Sequence, residues 1–445
     1  KFQMVKVTAL RSSIRSKQRP KPFSTLIAIT VWILVVIASL WTFQSKGTTA
    51  KINENEKQVN LSHGPPALQG SANANGSKIG YAVSVTGCGS DPISEGAAVL
   101  RHSIHQSSKQ GNPNYTYDYQ MYAIVHPNAV SCGMILEELG YTVLVRDTPV
   151  AVKDIQGTFL RENIEKNGCC GEKELIKLEA YTLVDHPIVV HLDLDTLILK
   201  PLDDLFDYML GKTTDSSKVT VMWKNDSIPR TVDAFFTRDY NMVHATTKYK
   251  PVQGGFLVLK PSMETYQEFV DIIKKGDFRK NGGWEGKVGP FYGSMTFQGI
   301  IPYFYDYLHP GKALELNRCV YNQMCDNPRD KRTVNDIVDG NCRTGETDCE
   351  DCRSRPLDDV VTSHFTLCQK PWWCLPQNDD RIQERLCRKL HGQWYRIRSD
   401  LEKSWGRSGQ GPGEFDSEHF HGYCKRHGHQ GYIPISKPFG QAIEY

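Results

Sequence analysis

The sequence lacks a charge excess outside its N-terminal segment. Its 445 residues include 53 Lys and Arg and 50 Asp and Glu, but residues 1–22 carry seven basic side chains and no acidic one. The 46 basic and 50 acidic residues that remain nearly balance each other. Proteins that bind nucleic acid through bulk charge present a strongly basic surface. This composition therefore argues against nucleic acid as a partner.

Charged side chains are also missing from residues 23–43, "FSTLIAITVWILVVIASLWTF". At ~1.5 Å per residue, a helix of about 21 residues spans roughly 30 Å, the thickness of a bilayer core. A buried core helix would carry a polar face, and a cleaved signal peptide has a shorter apolar core with a small-residue cleavage site. We therefore expect a membrane anchor. The basic flank, residues 1–22, predicts a cytoplasmic N-terminus and type II topology.

Glycosylation sequons follow the expected anchor at four places. Each three-residue pattern is weak alone. On the far side of a membrane anchor, however, the four together favour a lumenal domain. The acceptor residues are Asn60, Asn75, Asn114 and Asn225.

Cysteine is absent from the first 87 residues, and all 13 cysteines follow the expected anchor. Nine of them lie between Cys319 and Cys424. In an oxidising lumen this density favours disulfides, with a zinc site at Cys349 and Cys352 as the alternative. The odd count leaves one thiol free or in an intermolecular bridge. We expect the neighbouring cysteines 169–170 to bridge elsewhere rather than to each other.

Apolar periodicity is missing from residues 44–78, which predicts a flexible stem. From Ile79 onward, short apolar runs alternate with segments of helical spacing, and the chain contains no internal repeat. This alternation predicts an α/β fold with a mostly parallel sheet covered on both faces. The expected strands are "IGYAVSV", "YQMYAIV", "YTVLV" and "PIVVHLDLD", and the expected helices are "GAAVLRHSIHQSS", "AVSCGMILEEL" and "KELIKLEAYTLV".

Two carboxylates end the apolar run in "HLDLDTLILK". Ionised carboxylates are rarely buried unless they are paired or bind a metal. Residues i and i+2 of a strand point the same way, so Asp193 and Asp195 should face one point beyond the carboxyl end of the strand, where open α/β sheets bind ligands. Two hard oxygens there suit Mg²⁺ or Mn²⁺, and such an ion could neutralise a diphosphate leaving group. The alternative is that Asp195 merely caps the following turn.

A phosphatase of the haloacid-dehalogenase type would also place D-x-D after an apolar strand. That motif runs D-x-D-x-T, with Thr four residues after the first Asp, whereas Thr196 is three residues after Asp193. The segment "GDFRKNGG", which begins at Gly276, also lacks a second carboxylate. Both departures disfavour a phosphatase.

Five ordered segments resemble the glycogenin-like, family 8 retaining glycosyltransferases. The resemblance extends over about residues 80–375, roughly two-thirds of the chain. "GAAVLRHSI" resembles the first helix of that family and "KLEAYTLVDHP" the helix before its metal strand. "HLDLDTLILKPLDDLFD" resembles the D-x-D segment, "VQGGFLVLKPS" the substrate-side strand and "HFTLCQKPWW" the H-F-x-G-x-x-K-P-W segment.

The resemblance implies a GT-A fold, a nucleotide-sugar donor and a divalent metal ion. It implies that Asp193, Asp195 and His364 are the metal ligands. Two hard oxygens and one imidazole suit Mn²⁺ better than Mg²⁺, although Mg²⁺ stays possible. Lys370 matches the lysine that meets the donor diphosphate, where a cation stabilises departing charge.

The resemblance also implies donor contacts for Lys177 and Gln253 and a catalytic role for Gln298. In a retaining transfer, an amide oxygen at Gln298 would stabilise positive charge at the anomeric carbon, but it would be a poor nucleophile. The alternative is that Gln298 only begins the helix "QGIIPYFYDYL".

Three positions depart from the family pattern. Ile93 replaces a tyrosine that often stacks on uracil, and Leu367 replaces the glycine of H-F-x-G. Phe297 replaces an aspartate that would hydrogen-bond the donor sugar. These departures bear on which base and which sugar the chain accepts. They also leave open a non-catalytic sugar-binding or scaffold protein on the same fold.

We therefore expect a type II glycosyltransferase that moves a hexose from a nucleotide sugar, with UDP-sugar expected, to a glycan or protein acceptor with retention of configuration. The expected organisation is a cytoplasmic tail (1–22), a transmembrane anchor (23–43), a lumenal stem (44–78), a catalytic domain (79–375) with a Cys-rich insertion (about 319–352), and a C-terminal extension (376–445).

Overall fold

The computed structural model describes most of the chain after residue 77, all within one compact unit. The predicted cytoplasmic tail, membrane anchor and nearly all of the stem lie outside the described residues. Within the part that is described, no helix is both long and apolar enough to cross a bilayer. The described residues are 78–89, 92–215, 217, 219–221, 229, 231–329, 341–374, 382–407, 422–425, 429–437 and 439.

Eleven strands occur in the described residues. They are β1 (Lys78–Val85), β2 (Asp118–Val125), β3 (Thr142–Val145), β4 (Val189–Leu192), β5 (Thr196–Ile198), β6 (Ala234–Arg238), β7 (Val252–Leu259), β8 (Phe278–Arg279), β9 (Gly283–Trp284), β10 (Ala313–Glu315) and β11 (Thr362–His364).

One seven-stranded sheet forms the centre of the unit, with strand order β10-β6-β7-β4-β1-β2-β3. β1 pairs in parallel with both β2 and β4, and the pairs β2–β3 and β6–β10 are parallel too. Only β7 runs antiparallel to its neighbours β4 and β6. The predicted α/β class and the mostly parallel sheet are confirmed.

The position of β4 explains its unbroken apolar sequence. Val190 and Leu192 pack into the core on one face of the sheet, whereas Val189 packs into the core on the other face. A strand buried on both faces reads as a continuous hydrophobic run. The polar exception, His191, is fully buried and lies 2.8 Å from the Ser84 hydroxyl.

Helices cover the sheet, and several are short. The α-helices are α1 (Ile93–Gln106), α2 (Val130–Gly133), α3 (Ile135–Glu138), α4 (Thr158–Asn163), α5 (Asp203–Met209), α6 (Met263–Lys275), α7 (Phe297–Pro302) and α8 (Ile382–Ser404). The segments of 3₁₀ type are Pro127–Ala129, Val152–Asp154, Ile164–Lys166, Gly171–Thr182, Tyr240–Met242, Cys352–Ser354, Leu357–Asp359, Pro371–Trp373 and His429–Gly431, and Tyr303–Leu308 is a π-helix.

Two expected helices are interrupted. The segment "AVSCGMILEEL" forms the separate turns α2 and α3, because Cys132 is bonded to Cys88 and Gly133 lies directly on Val125. Tertiary contacts of this kind override helix propensity. The segment after Gln298 changes to the wider π-helix at Pro302, whose ring nitrogen cannot donate a helical hydrogen bond.

The C-terminal extension packs on α1. Arg398 of α8 lies 3.7 Å from the Glu95 carboxylate of α1, and the Ile435 backbone N–H donates to the same carboxylate at 2.9 Å. A disulfide joins Cys374 to Cys424 across this region. The extension is therefore part of the same packed unit as the sheet.

Disulfides account for ten of the cysteines, as the sequence predicted. Cys349 and Cys352 belong to two different disulfides, which removes the zinc alternative. The prediction for Cys169 and Cys170 is wrong, because neither forms a disulfide. Their thiols are free, as is that of the buried Cys325, and the remaining ten cysteines pair with one another. The five bonds are Cys88–Cys132, Cys319–Cys352, Cys342–Cys349, Cys368–Cys387 and Cys374–Cys424.

Candidate functional site

The two aspartates follow β4 in a tight turn at the carboxyl end of the strand. The Asp193 N–H donates to the Gly255 carbonyl of β7 at 3.2 Å, and the Asp193 carbonyl accepts from the Thr196 N–H at 3.1 Å and from the Thr196 hydroxyl at 2.7 Å. Backbone groups and the threonine hydroxyl therefore close the turn. Asp195 makes its side-chain contacts elsewhere, so the capping alternative does not hold.

A second, two-stranded sheet brings His364 to this turn. β11 runs antiparallel to β5, with His364 opposite Thr196, and the Phe365 N–H donates to the Asp195 carbonyl at 2.8 Å. Two positions far apart in the chain are thereby fixed by backbone hydrogen bonds. The ladder holds the imidazole beside the carboxylates independently of any bound ligand.

Asp193, Asp195 and His364 form one cluster of potential ligand atoms, all within 4.8 Å of one another. The His364 Nε2 atom lies 3.2 Å from an Asp195 oxygen and 3.9 Å from an Asp193 oxygen. His364 is 3% exposed and Asp195 9% exposed. The three residues that the sequence singled out as metal ligands therefore meet at one point, where Asp195 and His364 are buried and Asp193 is partly exposed.

Glycine residues make room for this cluster. A Cβ atom on Gly255 would lie 2.4 Å from the His364 ring, and one on Gly96 of α1 would lie 2.3 Å from the Leu194 carbonyl. Contacts that short do not occur between real atoms, so a side chain at either position would displace the ring or the turn. The second glycine of "VQGG", Gly255, therefore makes room for the His364 ring, a reason that the sequence alone does not give.

Each aspartate also contacts one lysine. The Lys177 ammonium donates to Asp193 at 2.8 Å and to the Gly254 carbonyl at 3.0 Å. The Lys370 ammonium donates to the second oxygen of Asp195. The structure thus brings together both aspartates and both predicted donor-contacting lysines, and it places Lys177 as a buried support for Asp193.

Neighbouring charges shift the pKa values of Asp195 and Lys177. Burial alone would raise the pKa of Asp195, but His364 and Lys370 outweigh burial and hold this pKa below its ordinary value. Burial alone would lower the pKa of Lys177, yet Asp193 and Glu174 together raise it above its ordinary value. At neutral pH the site therefore contains a carboxylate at Asp195 and an ammonium at Lys177.

The donor atoms suit a hard divalent cation. Two carboxylates and one imidazole are an oxygen-rich set that matches Mn²⁺ or Mg²⁺ better than a soft, thiolate-binding metal. The His364 Nε2 atom faces both carboxylates, which is the arrangement that shared coordination requires. Asp193, Asp195 and His364 therefore fit the expected ion by chemistry and by spacing.

Gln298 lies at the start of α7, 8% exposed. A Cβ atom on Gly293 would lie 2.2 Å from the Gln298 amide oxygen, so this glycine provides the space for the amide. The neighbouring Phe297 ring lies 5.7 Å from the Lys177 ammonium. Gln298 therefore begins a helix, and its chain neighbour Phe297 lies beside the lysine that supports Asp193.

Gln253 lies on β7 with its amide oxygen turned into the protein. That oxygen accepts from the Gly255 N–H at 2.6 Å and from the Asn322 side chain at 3.0 Å. Sequence reasoning missed Asn322, because a single asparagine inside a Cys-rich segment has no local signature. Its left-handed backbone, φ 61°, is visible only in the structure.

Comparison with solved structures finds glycosyltransferases with low similarity. Mouse xyloside xylosyltransferase 1 is 12% identical, with 67% of this chain and 99% of that chain covered and a TM-score of 0.40. An active-site mutant of LgtC is 13% identical, with coverage of 71% and 95% and a TM-score of 0.38. The bifunctional glycosyltransferase WbbM is 12% identical, with coverage of 68% and 48% and a TM-score of 0.38.

No family model matches the sequence, and no curated protein matches it either. At such identities and TM-scores, the solved structures transfer no activity to this chain. The functional assignment therefore rests on the geometry of the site.

Proposed function

We propose that this protein is a metal-dependent glycosyltransferase of GT-A fold. It would move a hexose from a nucleotide sugar, with a UDP-sugar as the expected donor, to a glycan or protein acceptor with retention of configuration. One observation carries the proposal: Asp193, Asp195 and His364 meet within 4.8 Å at the carboxyl end of a central strand. Open α/β sheets bind ligands at that edge.

The expected ion is Mn²⁺, with Mg²⁺ as the alternative. Asp193, Asp195 and His364 would hold it, and when bound it would supply positive charge that neutralises a diphosphate leaving group. Lys177 keeps Asp193 in place through its 2.8 Å hydrogen bond. Lys370 adds a second cation at the Asp195 side of the cluster, where departing charge would develop.

Retention would follow from transfer on one face of the sugar. We assign to Gln298 the electrostatic stabilisation of positive charge at the anomeric carbon on the opposite face. An amide oxygen stabilises such charge as a dipole without forming a covalent bond. The adjacent Phe297 has no polar atom with which to share this role.

The proposed setting is the Golgi lumen, with one N-terminal membrane helix. Five disulfides within the described residues support an oxidising compartment. Glycosidase treatment should lower the mass of the protein, and protease added outside intact vesicles should remove only the N-terminal tail. Complete digestion of the protein in intact vesicles would contradict this topology.

A non-catalytic sugar-binding protein is the second candidate, and two residues favour it. Phe297 is fully buried where the resembled family has an aspartate that contacts the donor sugar. Leu367, at the family's glycine position, carries a side chain that is 43% exposed. Either residue could leave the binding of a nucleotide sugar intact while preventing transfer.

The deciding experiment uses the purified full chain with a panel of nucleotide sugars. Turnover or donor hydrolysis that requires Mn²⁺ and stops on chelation would support the transferase. Binding of a nucleotide sugar without turnover, at any metal concentration, would favour the second candidate. Failure to bind any donor would contradict both.

A further inference from the structure

The Cys-rich segment contributes a buried side chain, Asn322, that contacts Gln253 behind the candidate site. Asn322 lies between Cys319 and Cys325, is 1% exposed and has a left-handed backbone, which asparagine tolerates better than most residues. Its N–H donates to the Thr362 hydroxyl at 2.6 Å. The residue is thereby fixed to β11, the strand that also carries His364.

The side chain of Asn322 donates two hydrogen bonds. Its Nδ2 atom lies 2.8 Å from the Thr237 hydroxyl oxygen and 3.0 Å from the Gln253 amide oxygen. The same Gln253 oxygen accepts from the Gly255 N–H at 2.6 Å. Because a backbone N–H can only donate, the orientation of the Gln253 amide is determined.

The NH₂ group of Gln253 therefore points away from both of these donors. Among the described residues it has no hydrogen-bond partner, although Gln253 is only 7% exposed. The position that a Cβ on Gly255 would occupy lies 3.0 Å from the Gln253 oxygen and 2.7 Å from His364 Nδ1. The oriented amide is thus an immediate neighbour of the candidate metal cluster.

We propose that Asn322 is a positioning residue that holds the Gln253 amide so that its NH₂ group donates a hydrogen bond to the bound nucleotide sugar. This inference rests on the proposed function. The ligand atom is an accepting oxygen, which either a sugar hydroxyl or a phosphate supplies. The Cys-rich segment then shapes donor recognition without touching the donor itself.

Asn322→Asp is the sharpest variant, because it keeps the shape and replaces the donating NH₂ with an oxygen. Two accepting oxygens would then face each other at 3.0 Å, and Gln253 cannot rotate its amide without losing the Gly255 hydrogen bond. We expect kcat/KM to fall about 10-fold or more, the cost of one misplaced hydrogen bond to a charged or polar partner. Asn322→Gly, which suits the left-handed backbone, is the second variant should the first fold poorly.

A double-mutant cycle separates positioning from general stability. In a Gln253→Ala background, Asn322→Asp should cause no further loss of kcat/KM, because its effect passes through Gln253. Asn322→Asp should lower the melting temperature, because it buries a carboxylate, so kinetics are measured well below that temperature, where the Mn²⁺ affinity should stay close to that of the wild type. Asn163→Asp is the matched control, since it removes a comparable 2.7 Å side-chain hydrogen bond to the Phe159 carbonyl and should leave kinetics unchanged.

Inhibition by the nucleoside diphosphate distinguishes the two oxygen sources. If both its inhibition constant and the KM of the nucleotide sugar rise in Asn322→Asp, the accepting oxygen belongs to phosphate. If only KM rises, the oxygen is a sugar hydroxyl, and either result supports the inference. Wild-type kcat/KM in Asn322→Asp, or losses that multiply in the double variant, would overturn it. A wild-type chain without Mn²⁺-dependent turnover would instead overturn the proposed function, and this inference with it.

Discussion

Two clusters among the described residues each place three potential metal ligands within 4.8 Å of one another, and they differ in chemical state. In the first cluster, the side chains of Asp193, Asp195 and His364 are not covalently bonded to one another. In the second, Cys368 and Cys387 are bonded to each other at 2.03 Å, and His391 Nε2 lies 2.6 Å from the Gln369 carbonyl oxygen. A disulfide has no thiolate to offer a metal. Proximity of ligand types is therefore not sufficient for a metal site.

Charge separates the two clusters further. In the first cluster, His364 and Lys370 hold the pKa of Asp195 below its ordinary value, so this residue is a carboxylate. In the second, burial lowers the pKa of His391 to about 4, so its imidazole is neutral in the folded protein at physiological pH. We expect the first cluster to bind ligands and the second to stabilise the fold.

The largest expected effect is that of Asp195→Asn on turnover. The amide keeps the shape but removes the charge that holds a divalent ion, and metal stabilisation of a leaving group is worth several kcal/mol. That corresponds to a fall in kcat of about 10³-fold. Steady-state kinetics in saturating Mn²⁺ measure it, with circular dichroism as the control for folding. Wild-type turnover would remove the metal assignment.

A somewhat smaller effect is expected for Gln298→Ala. Losing one well-placed dipole typically costs about 10²–10³ in rate. We therefore expect kcat to fall by this factor, with donor affinity and Mn²⁺ affinity nearly unchanged. An unaltered kcat, or a product of inverted configuration from the wild type, would show that Gln298 does not act as proposed.

A matched pair of histidine variants tests the comparison itself. His364→Ala should weaken Mn²⁺ binding by about 100-fold or more, because loss of an outer-shell partner alone typically costs 10- to 100-fold and His364 is a proposed direct ligand. His391→Ala should leave Mn²⁺ affinity unchanged, because its cluster is closed by a disulfide. Calorimetric titration of both variants with Mn²⁺ is the measurement. Equal losses in the two would mean that the clusters do not differ as described.

The smallest expected effect concerns stability against pH. A histidine whose pKa is lower in the folded state binds fewer protons there than when unfolded, so its contribution is present above about pH 6.5 and is lost as the pH falls toward 4. His391→Gln should flatten the acid side of the curve by up to about 1.4 kcal/mol per pH unit. Denaturant unfolding at several pH values measures this slope. An unchanged slope would indicate that His391 is already protonated in the folded protein.

The sequence predicted the first cluster better than its surroundings. A continuous apolar run followed by D-x-D was enough to place two carboxylates at a strand end, because buried parallel strands have a simple signature. His364 lies far along the chain, and residue chemistry alone did not link it to Asp195; the resemblance to a family did. The ladder between β5 and β11 is the physical link, and it is too short to be visible in the sequence.

Other features could not be predicted for reasons of tertiary structure. Disulfide connectivity depends on which cysteines the fold brings together, so the free thiols of Cys169 and Cys170 were unexpected. The role of Asn322 depends on a backbone angle and on hydrogen bonds to β6 and β7, which no local pattern records. In the sequence, Gly255 is only one residue of a predicted strand. The reason for a glycine there, the adjacent His364 ring, is visible only in the structure.

Anomalous diffraction from crystals of the full chain soaked in Mn²⁺ tests the central claim most directly. The account predicts one manganese peak bonded to Asp193, Asp195 and His364, and no peak at the cluster formed by Cys368, Cys387 and His391. A peak at the second cluster, or no peak at the first in wild-type crystals, would contradict it.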